Sequence, residues 1–180
     1  MAAPRASSAI QPEAPLRPGQ RVPAASLPAV PDGRLVALRE PARGAPVIVV
    51  LRSANPEEGA EVLVRLTQAH HSLEVWAGRP LVIVPASVEE AARLVGSVDG
   101  VPFPVLADAD GEVRRRLGVP ADRAALVIAD RWGVVYNAVE ADTARDLPPV
   151  DEVIEWVRYL ATQCPECGVP DEPGRGEWAP

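Results

Sequence analysis

Cysteine, aromatic residues and lysine are all scarce in this chain, and each scarcity narrows its chemistry. Its 180 residues include two cysteines, one methionine and only 4% aromatic residues. With so few rings, a core has to be built from Val, Leu, Ile and Ala. All 18 basic residues are arginine, a compositional habit rather than a functional sign. Acidic residues outnumber them, and the net charge of −7 argues for solubility and against generic binding to nucleic acid or an anionic membrane. No apolar run approaches the roughly 18 residues that span a bilayer. The N-terminal stretch Met1–Ile10 has no hydrophobic segment and is broken by Pro4, so it does not read as a secretory signal. These features predict a cytoplasmic protein, a setting that disfavours structural disulfides and makes paired cysteines metal ligands or redox groups. The chain also has no phosphate loop, dinucleotide fingerprint, nucleophile elbow or zinc-protease helix.

What is present is organised around Pro46–Leu51, an apolar, β-branched run that reads as a strand buried on both faces. It is followed by a polar corner, Arg52-Ser53-Ala54-Asn55, and then by Pro56, Glu57 and Glu58. Proline suits a first helical turn, and the two acids complement the positive end of the helix dipole. Residues 57–76 place Val62, Leu63, Leu66, Ala69 and Leu73 at helical spacing. A second buried strand follows at Leu81–Val84. Strand, helix, strand is a crossover unit and predicts a parallel sheet at the centre.

Before this unit, residues 1–18 carry Pro4, Pro12, Pro15 and Pro18 and read as a disordered arm. Residues 22–30 and 34–39 flank the turn Pro31-Asp32-Gly33 and predict a hairpin, with Pro23 and Pro28 placing its first strand at a sheet edge. After the unit, Ser87 and Glu90 form a capping box ahead of Ala91, Leu94 and Val95. Residues 101–108 read as extended, and 110–118 as a short helix stopped by Gly118. Residues 125–130 and 134–138 form a second hairpin about Arg131-Trp132-Gly133. A last helix runs from about Pro149, with Val150, Val153, Ile154, Val157, Leu160 and Ala161 on its buried face.

Several side chains invite a functional reading that their spacing does not support. Asp108-Ala109-Asp110-Gly111-Glu112 is similar to half a calcium loop. The closing position, however, holds Val119, so a turn and helix start are expected. Arg114, Arg115 and Arg116 fan around a helix axis and predict a solvated face. His70 and His71 fall near a helix C-terminus, where imidazolium is favoured. Trp132 and Trp178 are candidate contacts for a partner.

The order of these elements resembles the thioredoxin fold in its peroxiredoxin form. Three local patterns strengthen the resemblance to the alkyl hydroperoxide reductase/thiol-specific antioxidant family. Pro18-Gly19-Gln20-Arg21-Val22-Pro23 with Leu27 is similar to its opening motif. Pro102-Phe103-Pro104-Val105-Leu106-Ala107-Asp108 with Leu117-Gly118-Val119 is similar to its middle segment. Val127-Ile128-Ala129-Asp130 with Gly133-Val134-Val135 is similar to its late hairpin. The resemblance spans about residues 16–160 and implies an α/β three-layer sandwich with a central mixed sheet, occupying residues 19–163. It further implies thiol-dependent antioxidant or redox chemistry, with a peroxide or a thiol/disulfide protein as partner. Family members carry Thr/Ser-x-x-Cys at the end of the central strand, where a helix N-terminus and an arginine activate the thiol. Here Ser53 stands at the hydroxyl position, Pro56 at the cysteine position and Arg123 near that of the arginine.

The two thiols lie instead in Cys164-Pro165-Glu166-Cys167-Gly168, within the tail segment 164–180. A C-x-x-C pair can exchange disulfides, supply half of a tetrahedral metal site, or sit idle. The end of a helix just before Cys164 disfavours a thiolate by about 0.3–1 kcal/mol, or about half a pKa unit. Glu166 acts in the same direction. As a catalytic pair, Cys164 and Cys167 would carry thiol–disulfide exchange. As metal ligands they resemble the knuckle of zinc ribbons and rubredoxins, with zinc completed by His70 and His71, a partner chain, or a homodimer supplying four cysteines. A catalytically silent binding or assembly module is the reading that goes with zinc.

Overall fold

The computed structural model describes residues 16–40 and 43–163. The sheet is mixed and seven-stranded. Its strands, in chain order, are β1 (Ser26–Val30), β2 (Leu35–Ala37), β3 (Ala45–Val50), β4 (Gly78–Val84), β5 (Val105–Ala107), β6 (Ala124–Ala129) and β7 (Val135–Ala141). Across the sheet they lie in the order β2-β1-β5-β4-β3-β6-β7. β3, β4 and β5 are parallel, and the flanking strands are antiparallel to their neighbours. The helices are α1 (Pro56–Val75), α2 (Val88–Gly96), α3 (Glu112–Arg116) and α4 (Val150–Thr162).

The central strands have no polar face because both faces are covered. Val47 and Val49 pack with Leu63, Leu66, Leu73, Leu94 and Val157 under α1, α2 and α4. Ile48 and Val50 point the other way, to Val22, Leu38, Val113 and Leu117 beside α3 and the N-terminal segment. Period-two alternation thus feeds two cores. The parallel pairing of β3 with β4, the capping box at Ser87 and Glu90, and the glycine stop at Gly118 agree with the sequence reading.

Two expectations are corrected. β1 is not an edge strand, since β2 lies outside it. Pro28 is tolerated because the ladder from β1 to β5 engages only Ala29 and Val30, so the missing N–H lies beyond its end. Arg114 is not solvated. It is 4% exposed, whereas Arg115 faces water.

Candidate active site at the end of β3

β3 delivers the chain into a corner that is tied down at several polar groups. Leu51 is fully buried, and its N–H donates to the Ile83 carbonyl at 2.9 Å. Ser53 Oγ accepts the Asn55 N–H at 3.3 Å, and Asn55 Oδ1 accepts the Glu57 N–H at 2.9 Å. Asn55 is therefore the N-cap of α1, and Pro56 opens the helix, where a missing N–H costs nothing. A helix dipole does point its positive end at this corner. The residues it meets are an amide and a pyrrolidine ring.

Glu58 is the second fastening. It is 7% exposed, yet its carboxylate is matched on both oxygens. Oε1 accepts the Ala144 N–H at 2.7 Å, and Oε2 lies 3.3 Å from Arg52 Nη2. One acid thereby joins the start of α1 to the turn that precedes α4.

The third is Arg114, which α3 sends back under the corner. Its guanidinium donates to the carbonyls of Leu51 and Arg52, each at 3.2 Å, and to those of Pro120 and Arg123. A planar fork of five N–H donors is suited to such convergent carbonyls. Burial holds this guanidinium below its usual pKa, while Asp108 and Asp122 oppose the shift. Asp108, itself 1% exposed, caps α3 by accepting the N–H groups of Val113 (3.2 Å) and Arg114 (2.8 Å). Two of the residues in the half calcium loop thus have separate structural tasks, since Asp110 Oδ1 accepts the Glu112 N–H.

Burial pushes the Asp108 carboxyl above its ordinary value of 3.8, and the two backbone N–H bonds only partly offset it. The folded state then holds this proton more tightly than the unfolded chain. Its contribution to stability is full below about pH 3.8 and falls as pH rises through the raised value. The unfolding free energy of the native chain minus that of Asp108→Asn, followed by urea titration, is expected to shrink from pH 3.8 towards about pH 7. A difference that grows over this range would show that the carboxylate's hydrogen bonds outweigh its burial.

Arg123, near the position of the family's arginine, pairs with Asp142 and is half-exposed. It does not reach the corner through its side chain; only its carbonyl takes part, as an acceptor for Arg114. Among the described residues, the sole hydrogen bond to Ser53 Oγ is the one from Asn55, so no general base touches that hydroxyl. His70 stacks on Phe103 with ring centroids 6.1 Å apart, and His71 is exposed. Among the described residues no three His, Cys, Asp or Glu side chains converge as a metal site.

Cys164, Cys167 and Trp178 lie outside the described residues. Leu160 and Ala161, near the end of α4, border the same cleft as Gly44, Ala45 and Trp76, at the start of β3. The corner lies at the other end of that strand, whose six residues span about 20 Å. Sequence reasoning missed Arg114, because no local pattern marks a helix arginine that turns inward.

No protein-family model matches the chain, and neither does any curated protein. Solved structures do match its fold. Peroxidoxin BcpB from Mycobacterium tuberculosis is 16% identical with a TM-score of 0.71, the match covering 80% of this chain and 97% of that one. Peroxiredoxin Q from Xanthomonas campestris is 17% identical with a TM-score of 0.63, covering 76% and 91%. A putative thiol:disulfide interchange protein DsbE from Chlorobium tepidum is 19% identical with a TM-score of 0.64, covering 81% and 98%. The chain therefore has a thioredoxin-like fold similar to that of these peroxiredoxins.

Proposed function

We propose that this chain is a cytoplasmic thiol-redox protein whose exchange is carried by Cys164 and Cys167 rather than by the corner after β3. The observation that supports this is the state of the corner itself. Asn55 and Pro56 occupy the helix start, and Arg114 and Glu58 hold the adjoining backbone. That leaves the distal pair as the only thiols in the sequence.

In the exchange, the thiolate of one cysteine attacks a partner disulfide. The S–S bond of the partner breaks, a mixed disulfide forms, and the departing sulfur takes up a proton. The second cysteine then attacks the first, closing Cys164–Cys167 and releasing the partner as a dithiol, two electrons richer. With a peroxide, the first thiolate takes the distal oxygen to become a sulfenic acid, an alcohol leaves, and the second thiol condenses with loss of water. The helix end before Cys164 slows either route by favouring the thiol over the thiolate.

The same electrostatics favour a second reading, a zinc knuckle in a catalytically silent assembly module. Coordination stabilises thiolates that the helix end disfavours. The remaining ligands would come from His70 and His71, a second copy or another protein.

Zinc analysis and thiol titration of freshly purified protein separate the two. The redox reading expects metal-free protein whose dithiol cycles with oxidised thioredoxin or a peroxide, and Cys164→Ser to abolish that turnover. Bound zinc with no titratable thiol, lost together with dimerisation in Cys164→Ser, would replace it by the assembly reading. Metal-free protein with inert thiols would end both.

A further inference from the structure

At the opposite end of the sheet from the corner, the β1–β2 hairpin and the β6–β7 turn enclose an open cleft of about 570 Å³. Its charged lining consists of Arg21 and Arg39, and its apolar wall is Trp132, with Ala24, Ala25 and Ala37 beneath. Among the described residues no carboxylate lines it. Neither arginine forms an ion pair among the described residues, although the chain carries a net charge of −7. The Arg39 Nε–H is shielded from water and has no acceptor among them either. An unmet buried donor of this kind is destabilising. Structures keep few of them without a reason.

The cleft is built rather than incidental. Gly133 has φ +80, and a Cβ there would lie 2.4 Å from Arg39 Cδ. The turn therefore has to be glycine for the arginine stem to pass. Asp130 is the nearest acid on that turn, and its Oδ1 is spent on the N–H groups of Trp132 (2.8 Å) and Val134 (2.9 Å). Those bonds fix how the indole is presented. Val22 donates to the Gly133 carbonyl at 2.9 Å and Val135 to that of Gln20 at 2.7 Å, so the two walls are stitched together. Arg116 ties down the Ala24 carbonyl at 3.2 Å. The neighbouring cleft around Arg79 differs. There the Nη groups are committed to the carbonyls of Ala37 and Leu38 and to Glu40, although the Nε–H is likewise buried without an acceptor among the described residues.

We propose that the cleft formed by Arg21, Arg39 and Trp132 binds a small organic oxyanion, a phosphate or carboxylate joined to a flat apolar group. The oxyanion is taken at the Nη end of Arg39, with Arg21 as the second cation. Arginine forks match such anions in bidentate geometry, and the flat group lies against the indole. The volume falls within the range of small-molecule sites. This site is independent of the sulfur chemistry, and its test leaves Cys164 and Cys167 reduced and untouched.

The test titrates the full chain with phenyl phosphate, inorganic phosphate and benzyl alcohol at constant ionic strength. The readout is the Trp132 indole N–H signal, assigned by Trp132→Phe. Phenyl phosphate is expected to shift that signal saturably, inorganic phosphate to bind more weakly, and benzyl alcohol not to bind. Arg21→Gln, at an exposed position, and Arg39→Gln are each expected to weaken phenyl phosphate by about tenfold or more, while Arg34→Gln, in the neighbouring cleft, leaves it unchanged. No saturable shift, equal binding of benzyl alcohol, or a shift retained in Arg21→Gln would overturn the proposal. Should Arg39→Gln fail to fold, Arg21→Gln and the ligand series decide it alone.

Discussion

Arg114→Met is expected to destabilise the protein by about 3–5 kcal/mol, the usual result of removing one member of a buried, compensated charge. The methionine keeps most of the stem's volume, so the loss is in polar contacts. Four carbonyl groups, of Leu51, Arg52, Pro120 and Arg123, lose their donor together. Asp108, 1% exposed, loses its cationic neighbour. Urea denaturation reads the effect, and Arg115→Met, on the wet side of the same helix, is the control with a change of about 0.5 kcal/mol or less. If both substitutions cost the same, Arg114 is not the fastening described above. The position matters for function because the carbonyls it holds are those that shape the corner after β3.

Gly44→Ala carries the second large effect, about 2–5 kcal/mol, as the sum of two terms. Gly44 has φ +94, where a side chain is strained by about 1–2 kcal/mol. A Cβ there would also lie 2.0 Å from the backbone carbonyl oxygen of Ala77, and overpacking costs about 1–3 kcal/mol. That oxygen cannot step aside, because it accepts the Ala45 N–H at 2.9 Å, where β3 begins. Gly100→Ala isolates the first term: its φ is +65 and nothing lies within 4 Å of the added methyl. Unfolding titrations of the two variants should differ by the steric term. Equal costs would mean that the segment before β3 shifts freely, and the close approach of Gly44 to Ala77 would lose its significance.

Much of the architecture was legible because it is written in short-range periodicity. Apolar runs at 46–51 and 81–84 with a helical pattern between them could only be a buried parallel pair. The capping box at Ser87 and the glycine at 118 marked helix ends by local chemistry. The misreadings have one cause. The place of β1 inside the sheet depends on where β5 docks, and the burial of Arg114 depends on where the loop 120–123 returns. Neither is a property of residues near them in the chain. The same holds for Arg39 and Trp132, more than ninety positions apart.

The sequence by itself determined that the strand-to-helix corner carries no thiol, and that the only cysteines sit just past the last helix. Composition and spacing suffice for that, because a missing sulfur needs no coordinates. Only the tertiary structure decided that Arg114 is buried beneath the carbonyls of the corner, and that Arg21 and Arg39 line one cleft with Trp132 at the far end of the sheet. Both are distances through space between segments remote in the chain, fixed by how helices and hairpins pack on the sheet.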